Sequence, residues 1–363
     1  MKFQLQAKKG ESLYLALYRY LRDEIVKGTY PFGAKLPSKR MLASELGVSV
    51  ITVEHALAIL CDEGYTVSRE RSGVFVAYRA GEGFAAAPTA PLDAPTRNVH
   101  THPSETFPPS VLFRTVRRVL TEYGEELLAK SPNNGAEILR RAISAYLSRG
   151  RDVHVLPEQI VIGSGAEYLY SLAVQMLGRE RVFAVEDPCY EKIREVYRAN
   201  GVTLELLTMG ETGICSEALA GSTASVLHVT PYHSYPSGVT ANASKRREYI
   251  DFARVRDGFV IEDDFDSEFT VSAKVEDTLF SLDGGERVIY MNTFTKTVAP
   301  GIRVGYMVLP PALFPTFRTR VGFYSCTVPT FEQYVLAELL DSGDFERHVN
   351  RMRRKKRKML SKV

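Results

Sequence analysis

The chain has 363 residues, of which 45% are hydrophobic and 25% charged, with a formal net charge of +3. This is the balance of a water-soluble globular chain with room for two or more cores. No apolar run approaches the ~18 residues that span a bilayer, and the start MKFQLQAKKGES has no apolar h-region, so neither a membrane span nor a secretory leader is expected.

The first 79 residues read as three helices and a small ribbon. Ser12 can cap a helix over SLYLALYRYLRDEIVKG, where Leu13, Leu17, Tyr20, Leu21 and Ile25 recur at helical spacing. Ser38 caps a short helix through Leu46 that Gly47 stops. Ser49 caps a third, with Val53, Ala56, Leu57 and Leu60 on its inner face. YTVSRE and GVFVAY alternate, and Arg71 and Ser72 join them into a hairpin. A short helix, a tight turn and a second helix make a helix-turn-helix, whose second helix enters the major groove by its first residues. Here these are Ser49, Val50, Ile51 and Thr52. Lys39 and Arg40 are expected to grip backbone phosphate, and Arg69 and Arg71 lie at the tip of a candidate wing. A three-helix protein-interaction module would show the same periodicity, so charge adds a second argument. Residues 1–80 carry 12 Lys/Arg against 8 Asp/Glu, residues 81–346 carry 25 against 35, and residues 347–363 carry 9 against 0. A basic head on an acidic body points to an anionic polymer as the head's partner.

Residues 80–109 are rich in Ala, Pro and Thr without any period, as in an extended linker. From 110 to 363, helical patterns at about 111–130, 135–149, 165–178, 189–200 and 244–256 alternate with apolar runs. Those runs are QIVIG, RVFAV, SVLHVT, GFVIED, RVIYMN and GYMVL. The alternation predicts an α/β domain around a mainly parallel sheet. Cys61, Cys189, Cys215 and Cys326 are scattered, with no C-x-x-C pair. That gives no zinc pattern and suits free thiols in a reducing cytoplasm.

One lysine interrupts the apolar stretch TFTKTVAPGIRVGY. A desolvated amine is a nucleophile toward an aldehyde, so Lys296 is a candidate for binding pyridoxal phosphate. Such a lysine needs a carboxylate at the pyridine nitrogen, a phosphate cradle and a ring to stack on the cofactor. Period two in GFVIEDDFDSEF puts Phe259, Ile261 and Asp263 on one face and Val260, Glu262 and Asp264 on the other. One of these acids, at a strand's C-terminal end, can supply the carboxylate. The same acids could hold calcium or magnesium, but they lack the EF-hand spacing and its Gly. IVIGSGAEYLYSLA is a strand, a Gly turn and a helix start, where N–H groups near Gly165 and Ala166 favour an anion. Ser164, Thr293 and Thr295 add hydroxyls there, and Arg303 adds a bidentate cation. Tyr190, after a strand and a Pro, can lie on a planar ligand.

Two resemblances follow from these motifs. GAKLPSKRMLASELGVSVITVEHALAILCDEGYTVSRERSGVFV resembles the winged helix-turn-helix of the GntR superfamily, through LPS-x-R, LA-x-x-LGVS and R-x-x-SG-x-FV. This implies that Ser38, Lys39, Arg40, Ser49, Thr52, Arg69 and Ser72 act at double-stranded DNA. Some relatives carry Arg or Lys where Val50 and Glu54 stand, so fewer direct base contacts are expected. SGAEYL, VEDPCY, TPYHSYPSG, EDDFDSEF and TFTKTVAPGIRVGY resemble the motifs of fold-type I aminotransferases over about residues 103–363. A GntR head, a linker and such a body together resemble the MocR subfamily of transcription regulators.

The resemblance implies Lys296 as the residue joined to the cofactor, Asp263 at the pyridine nitrogen and Tyr190 stacked on the ring. Ser164, Gly165, Ala166, Thr293, Thr295 and Arg303 would hold the phosphate, and His233 would approach the ring. Phe265 stands where relatives often carry a Tyr that reaches the cofactor. HVNRMRRKKRKMLSKV resembles the basic helix that leads into a C-terminal small domain in relatives, so the body is expected to be a truncated form. The expected function is a homodimeric DNA-binding regulator that senses an amine, an amino acid or the cofactor itself. An active aminotransferase carrying a DNA-binding head is the alternative.

Overall fold

A computed structural model describes residues 12–70, 72–79, 107–269 and 277–360. The chain divides into two compact units, Met1–Asn98 and Val99–Val363. Residues 80–106 of the expected linker lie outside the described residues, as does Arg71.

The first unit comprises α1 (Leu13–Val26), α2 (Lys39–Leu46), α3 (Val50–Asp62) and a hairpin of β1 (Thr66–Arg69) and β2 (Gly73–Val76). Ser38 Oγ accepts from Met41 N at 3.2 Å, and Ser49 Oγ accepts from Thr52 N at 3.1 Å, so both expected caps form. Gly47 ends α2 at φ 69°, a conformation cheapest for glycine. Ser12 precedes α1, but its side chain makes no cap bond. The buried face of α1 is Ala16, Leu17, Tyr18, Leu21 and Ile25, so Leu13 and Tyr20 fall outside it. Tyr18 turns inward because its hydroxyl donates to Glu63. All four inner residues expected for α3 are buried. α2 and α3 meet at 116°, within the range of a helix-turn-helix.

The second unit begins before the expected boundary. Phe107 is buried, and its N–H donates to Val298 O at 3.3 Å. Then come α4 (Pro109–Tyr123), α5 (Glu137–Arg151), β3 (Ile160–Gly163), α6 (Ala166–Leu177), β4 (Val182–Asp187) and α7 (Glu191–Ala199). β5 (Thr203–Gly210), β6 (Gly213–Ile214), α8 (Ser216–Gly221), β7 (Val226–Val229), α9 (Ala243–Val255) and β8 (Phe259–Asp263) follow. The last elements are α10 (Leu279–Asp283), β9 (Val288–Thr293), β10 (Gly305–Val308), α11 (Phe314–Arg320), α12 (Thr330–Asp341) and α13 (Asp344–Leu360).

Among the described residues, one sheet runs β3-β10-β9-β8-β7-β4-β5-β6. β4, β5, β7, β8 and β9 pair in parallel, β10 runs against both β3 and β9, and β6 runs against β5. β3, β7 and β9 are buried at every position, as strands covered by helices on both faces must be. The faces divide as period two requires. Leu227, Val260 and Val288 pack with α5 and α12, whereas Val226, Ile261 and Ile289 pack with α6. The six expected strands are all present. β5 was not expected, because Leu207 is its single fully buried residue and no apolar run marks it. Among the described residues, no single helix is long and apolar enough to cross a membrane.

Candidate nucleic-acid interface and cofactor cleft

The start of α3 presents Ser49, Val50 and Ile51 as exposed residues, with Thr52 half-buried behind them. The hydroxyls of Ser49 and Thr52 lie 2.8 Å apart and brace the first turn. Val50 and Ile51 offer an apolar surface of the kind that meets a thymine methyl. Arg40, Arg69 and Ser72 are exposed, and Arg69 stacks its guanidinium 4.8 Å from the Phe75 ring. The Lys39 ammonium donates to Glu54 on α3 at 2.9 Å, in a pair whose side chains are both about half exposed.

In the second unit, a cleft of about 450 Å³ opens at the C-terminal ends of the parallel strands. Five strand ends contribute. Ala166 follows β3, Tyr190 follows β4, Thr230 follows β7, Asp263 ends β8 and Thr293 ends β9. Thr295, Lys296 and Arg303 complete the expected lining from the loop between β9 and β10. Asp263 is buried and accepts a hydrogen bond from the Tyr170 hydroxyl. Burial, then the charge of Asp263, pushes the Tyr170 phenol well above its ordinary pKa, which keeps it a donor. His228 Nε2 lies 3.7 Å from the same carboxylate, and its Nδ1 meets the Tyr197 hydroxyl at 2.6 Å.

Four expectations need correction. Lys296 is not desolvated: its side chain is 46% exposed, and its Nζ pairs with Asp266 Oδ1 at 2.5 Å, with the Phe265 ring 4.9 Å away. A charged lysine keeps water and an acid when both are within reach. The Gly165 N–H is not free, because it donates to Gly163 O at 2.9 Å. Ser164 does not line the cleft, and its N–H donates to Thr327 Oγ1 at 3.1 Å. His233 does not line it either. A left-handed backbone at φ 43° turns its ring to Asp266, at 3.6 Å.

Sequence reasoning missed Glu167, Tyr170, Thr230 and Tyr235, which all line the cleft. Glu167 sits in the first turn of α6 and forms an ion pair with Arg303, with Lys192 3.5 Å away. Burial raises its carboxyl pKa, but its own backbone N–H and Arg303 more than offset this and lower it. Tyr235 meets Tyr190 edge to face, with centroids 6.1 Å apart. Its loop is tied down by Glu186 at 3% exposure, which accepts from Thr230 N at 3.1 Å and Ser234 Oγ at 2.5 Å. Burial pushes that carboxyl up to about 8. The acid run does not converge on a metal. Among the described residues, no group of three His, Cys, Asp or Glu could hold one.

Comparison with known proteins gives the family. Residues 13–76 match bacterial regulatory proteins of the gntR family, and residues 98–363 match aminotransferase class I and II. An uncharacterized HTH-type transcriptional regulator of Bacillus subtilis, YdeL, is 34% identical over 356 residues, covering 95% of this chain and 77% of its own. A probable rhizopine catabolism regulatory protein of Rhizobium meliloti, MocR, is 30% identical over 367 residues, covering 94% of this chain and 74% of its own. The kynurenine aminotransferase of Pyrococcus horikoshii, solved in complex with PMP, superposes with a TM-score of 0.62 at 25% identity, over 68% of this chain and 64% of the enzyme. The chain thus spans less than two thirds of that enzyme's length, and the likeness carries the fold of the shared part. The winged head, the aminotransferase-like sheet and relatives matched across both show that this chain belongs to the MocR subfamily of GntR transcription regulators, which bind DNA.

Proposed function

We propose that the body binds pyridoxal 5′-phosphate and that the regulator responds to an amine or amino acid reaching the cleft, or to the cofactor itself. The observation that carries this is the presence of Lys296, buried Asp263 and Arg303 in one cleft at the strand ends. The cradle fits a phosphate. A Cβ at Gly165 would sit 3.2 Å from Arg303 Nη2 and make the guanidinium shift, and the backbone at φ +90° itself favours glycine. Ala166, Thr293 and Thr295 line the same cleft. Tyr190 offers a ring face, and Asp263 offers a carboxylate for a protonated pyridine nitrogen. When bound, the cofactor supplies an electrophilic aldehyde that condenses with primary amines. Lys296 Nζ donates to Asp266 Oδ1 at 2.5 Å, a contact that positions the amine in the cleft. His233 Nδ1 lies 3.6 Å from the other oxygen of this acid.

In this proposal the regulator is a cytoplasmic homodimer formed through the body. Its two heads, reading through Ser38, Arg40, Ser49, Thr52, Arg69 and Ser72, meet two half-sites of an operator. Ligand binding changes DNA affinity only if the two arrangements of the heads bind ligand unequally. The test is borohydride reduction of cofactor-saturated protein followed by peptide mass spectrometry. A pyridoxyl group on Lys296, absent from Lys296→Ala, is expected. Saturated protein with no adduct on that side chain overturns the proposal.

A further inference from the structure

Four buried side chains from four elements meet where Asp263 enters the cleft. Tyr170 comes from α6, Tyr197 from α7, His228 from β7 and Asp263 from β8. Period two carries His228 to the face of Val226 and Asp263 to that of Ile261, and both of those apolar residues pack with α6. The His228 ring stands edge to face with both phenols, its centroid 5.0 Å from that of Tyr170 and 5.6 Å from that of Tyr197.

The two nitrogens of His228 have different surroundings. Nδ1 is 2.6 Å from the Tyr197 hydroxyl, which meets no other partner among the described residues. Nε2 makes no hydrogen bond and lies 3.7 Å from Asp263 Oδ2. One proton arrangement satisfies these groups and the other does not. If Tyr197 donates to Nδ1, its buried hydrogen is used, and the ring proton sits on Nε2, facing the carboxylate. If Nδ1 donates instead, the Tyr197 hydrogen has no acceptor and a bare Nε2 lone pair faces the carboxylate. Burial, then the charge of Asp263, pushes the Tyr197 phenol well above its ordinary pKa, so it keeps the hydrogen it gives. The Tyr170 hydroxyl donates to the same Oδ2. Asp263 lines the cleft, and its Oδ1 accepts no hydrogen bond among the described residues, yet it is not one of the atoms closed off from solvent.

We infer that Tyr170, His228 and Tyr197 are positioning residues. Tyr197 fixes the proton of His228 on Nε2, Tyr170 and His228 together engage Oδ2, and Oδ1 is the oxygen left to meet a pyridine nitrogen. This rests on the cofactor reading of the cleft and adds which oxygen serves and what holds it. A hydrogen bond on one side and an N–H dipole on the other orient the carboxylate before a ligand arrives, which lowers the ordering cost of binding.

The first test needs no cofactor. Nitrogen NMR of the full chain labelled at histidine reports which ring nitrogen carries the proton, and the His228 signals are those lost in His228→Gln. A hydrogen on Nε2 and a bare Nδ1 are expected; a hydrogen on Nδ1 overturns the inference. The second test compares the calorimetric affinities of pyridoxal phosphate and of its carbocyclic analogue, in which C–H replaces the ring nitrogen. The analogue keeps the phosphate and the aldehyde but gives Asp263 nothing to meet. Wild type is expected to prefer pyridoxal phosphate by at least about tenfold, and Tyr170→Phe and His228→Gln each lower that preference by about threefold to tenfold, with the affinity for the analogue unchanged. A purely structural role would weaken both compounds together. A wild-type preference in both variants, or a parallel loss of both compounds, overturns the inference. If neither compound binds wild type, the cofactor reading fails and with it the role of Oδ1, whereas the nitrogen spectrum still decides the proton assignment.

Discussion

Replacing Glu167 by Gln removes an anion from the place where a phosphate is proposed to sit. In the ligand-free protein, Glu167 lines the cleft and occupies Arg303, whose side chain is 51% exposed against 29% for the glutamate. A pair so open to water contributes about 0–1 kcal/mol. The incoming dianion must break that pair and then sit beside the displaced carboxylate. Two like charges about 5 Å apart in a largely aqueous dielectric add about 1 kcal/mol of repulsion. Together these predict that Glu167→Gln binds phosphate about fivefold to tenfold more tightly, since 1.4 kcal/mol is about tenfold. The assay is displacement of pyridoxal phosphate by inorganic phosphate, followed by cofactor absorbance at low and high salt. The gain should shrink at about 1 M salt, where charges more than about 3 Å apart are screened. Unchanged or weaker phosphate affinity in Glu167→Gln at low salt would refute the reasoning, because Arg303 would then not be limited by its internal partner.

Two further outcomes follow from the ion pairs and buried acids. Glu54→Ala releases Lys39 from its 2.9 Å pair, so binding to a non-specific duplex should strengthen several-fold at low salt, with a salt slope steeper by about 0.9, read by fluorescence anisotropy. Glu186 binds a proton in the folded state up to about pH 8, against an ordinary value of 4.5, so its protonated form favours folding and stability falls as pH rises between these values. The span corresponds to about 5 kcal/mol; Glu186→Gln should flatten denaturant midpoints across it, and an unchanged pH profile would sink the assignment.

Much of the fold was legible because burial wrote it as periodicity. β3, β7 and β9 are covered on both faces and read as mainly apolar runs, while α3 placed its four inner residues at helical spacing. β5 escaped because a strand near the sheet's edge needs few apolar side chains. Within the cleft, period two narrowed the carboxylate to the acids at the end of β8, and the resemblance to fold-type I aminotransferases singled out Asp263; Asp263 and Thr293 both line the cleft. It missed contacts set by three-dimensional pairing. Nothing local says that Glu167 would meet Arg303, 136 residues away, or that Tyr170 would reach Asp263. The state of Lys296 was misread for the same reason. An apolar neighbourhood in sequence implied desolvation, but Asp266 comes from a different loop.

The acid run EDDFDSEF shows why composition alone invited a metal and geometry removes it. Glu262 accepts from the backbone N–H groups of Leu279 and Phe280, at 2.8 Å and 2.9 Å. Asp263 takes the Tyr170 hydroxyl, Asp264 the Arg151 guanidinium, Asp266 the Lys296 ammonium and Glu268 the Asn292 amide. Five carboxylates thus leave in different directions, because the strand alternates its side chains and the turn after it redirects the rest. Metal binding requires carboxylates to converge, and here each is committed to a separate donor. Asp263 and Asp264, adjacent in sequence, thus face opposite sides of the sheet: the first lines the cleft with Tyr170, and the second holds Arg151, Tyr290 and Ser267.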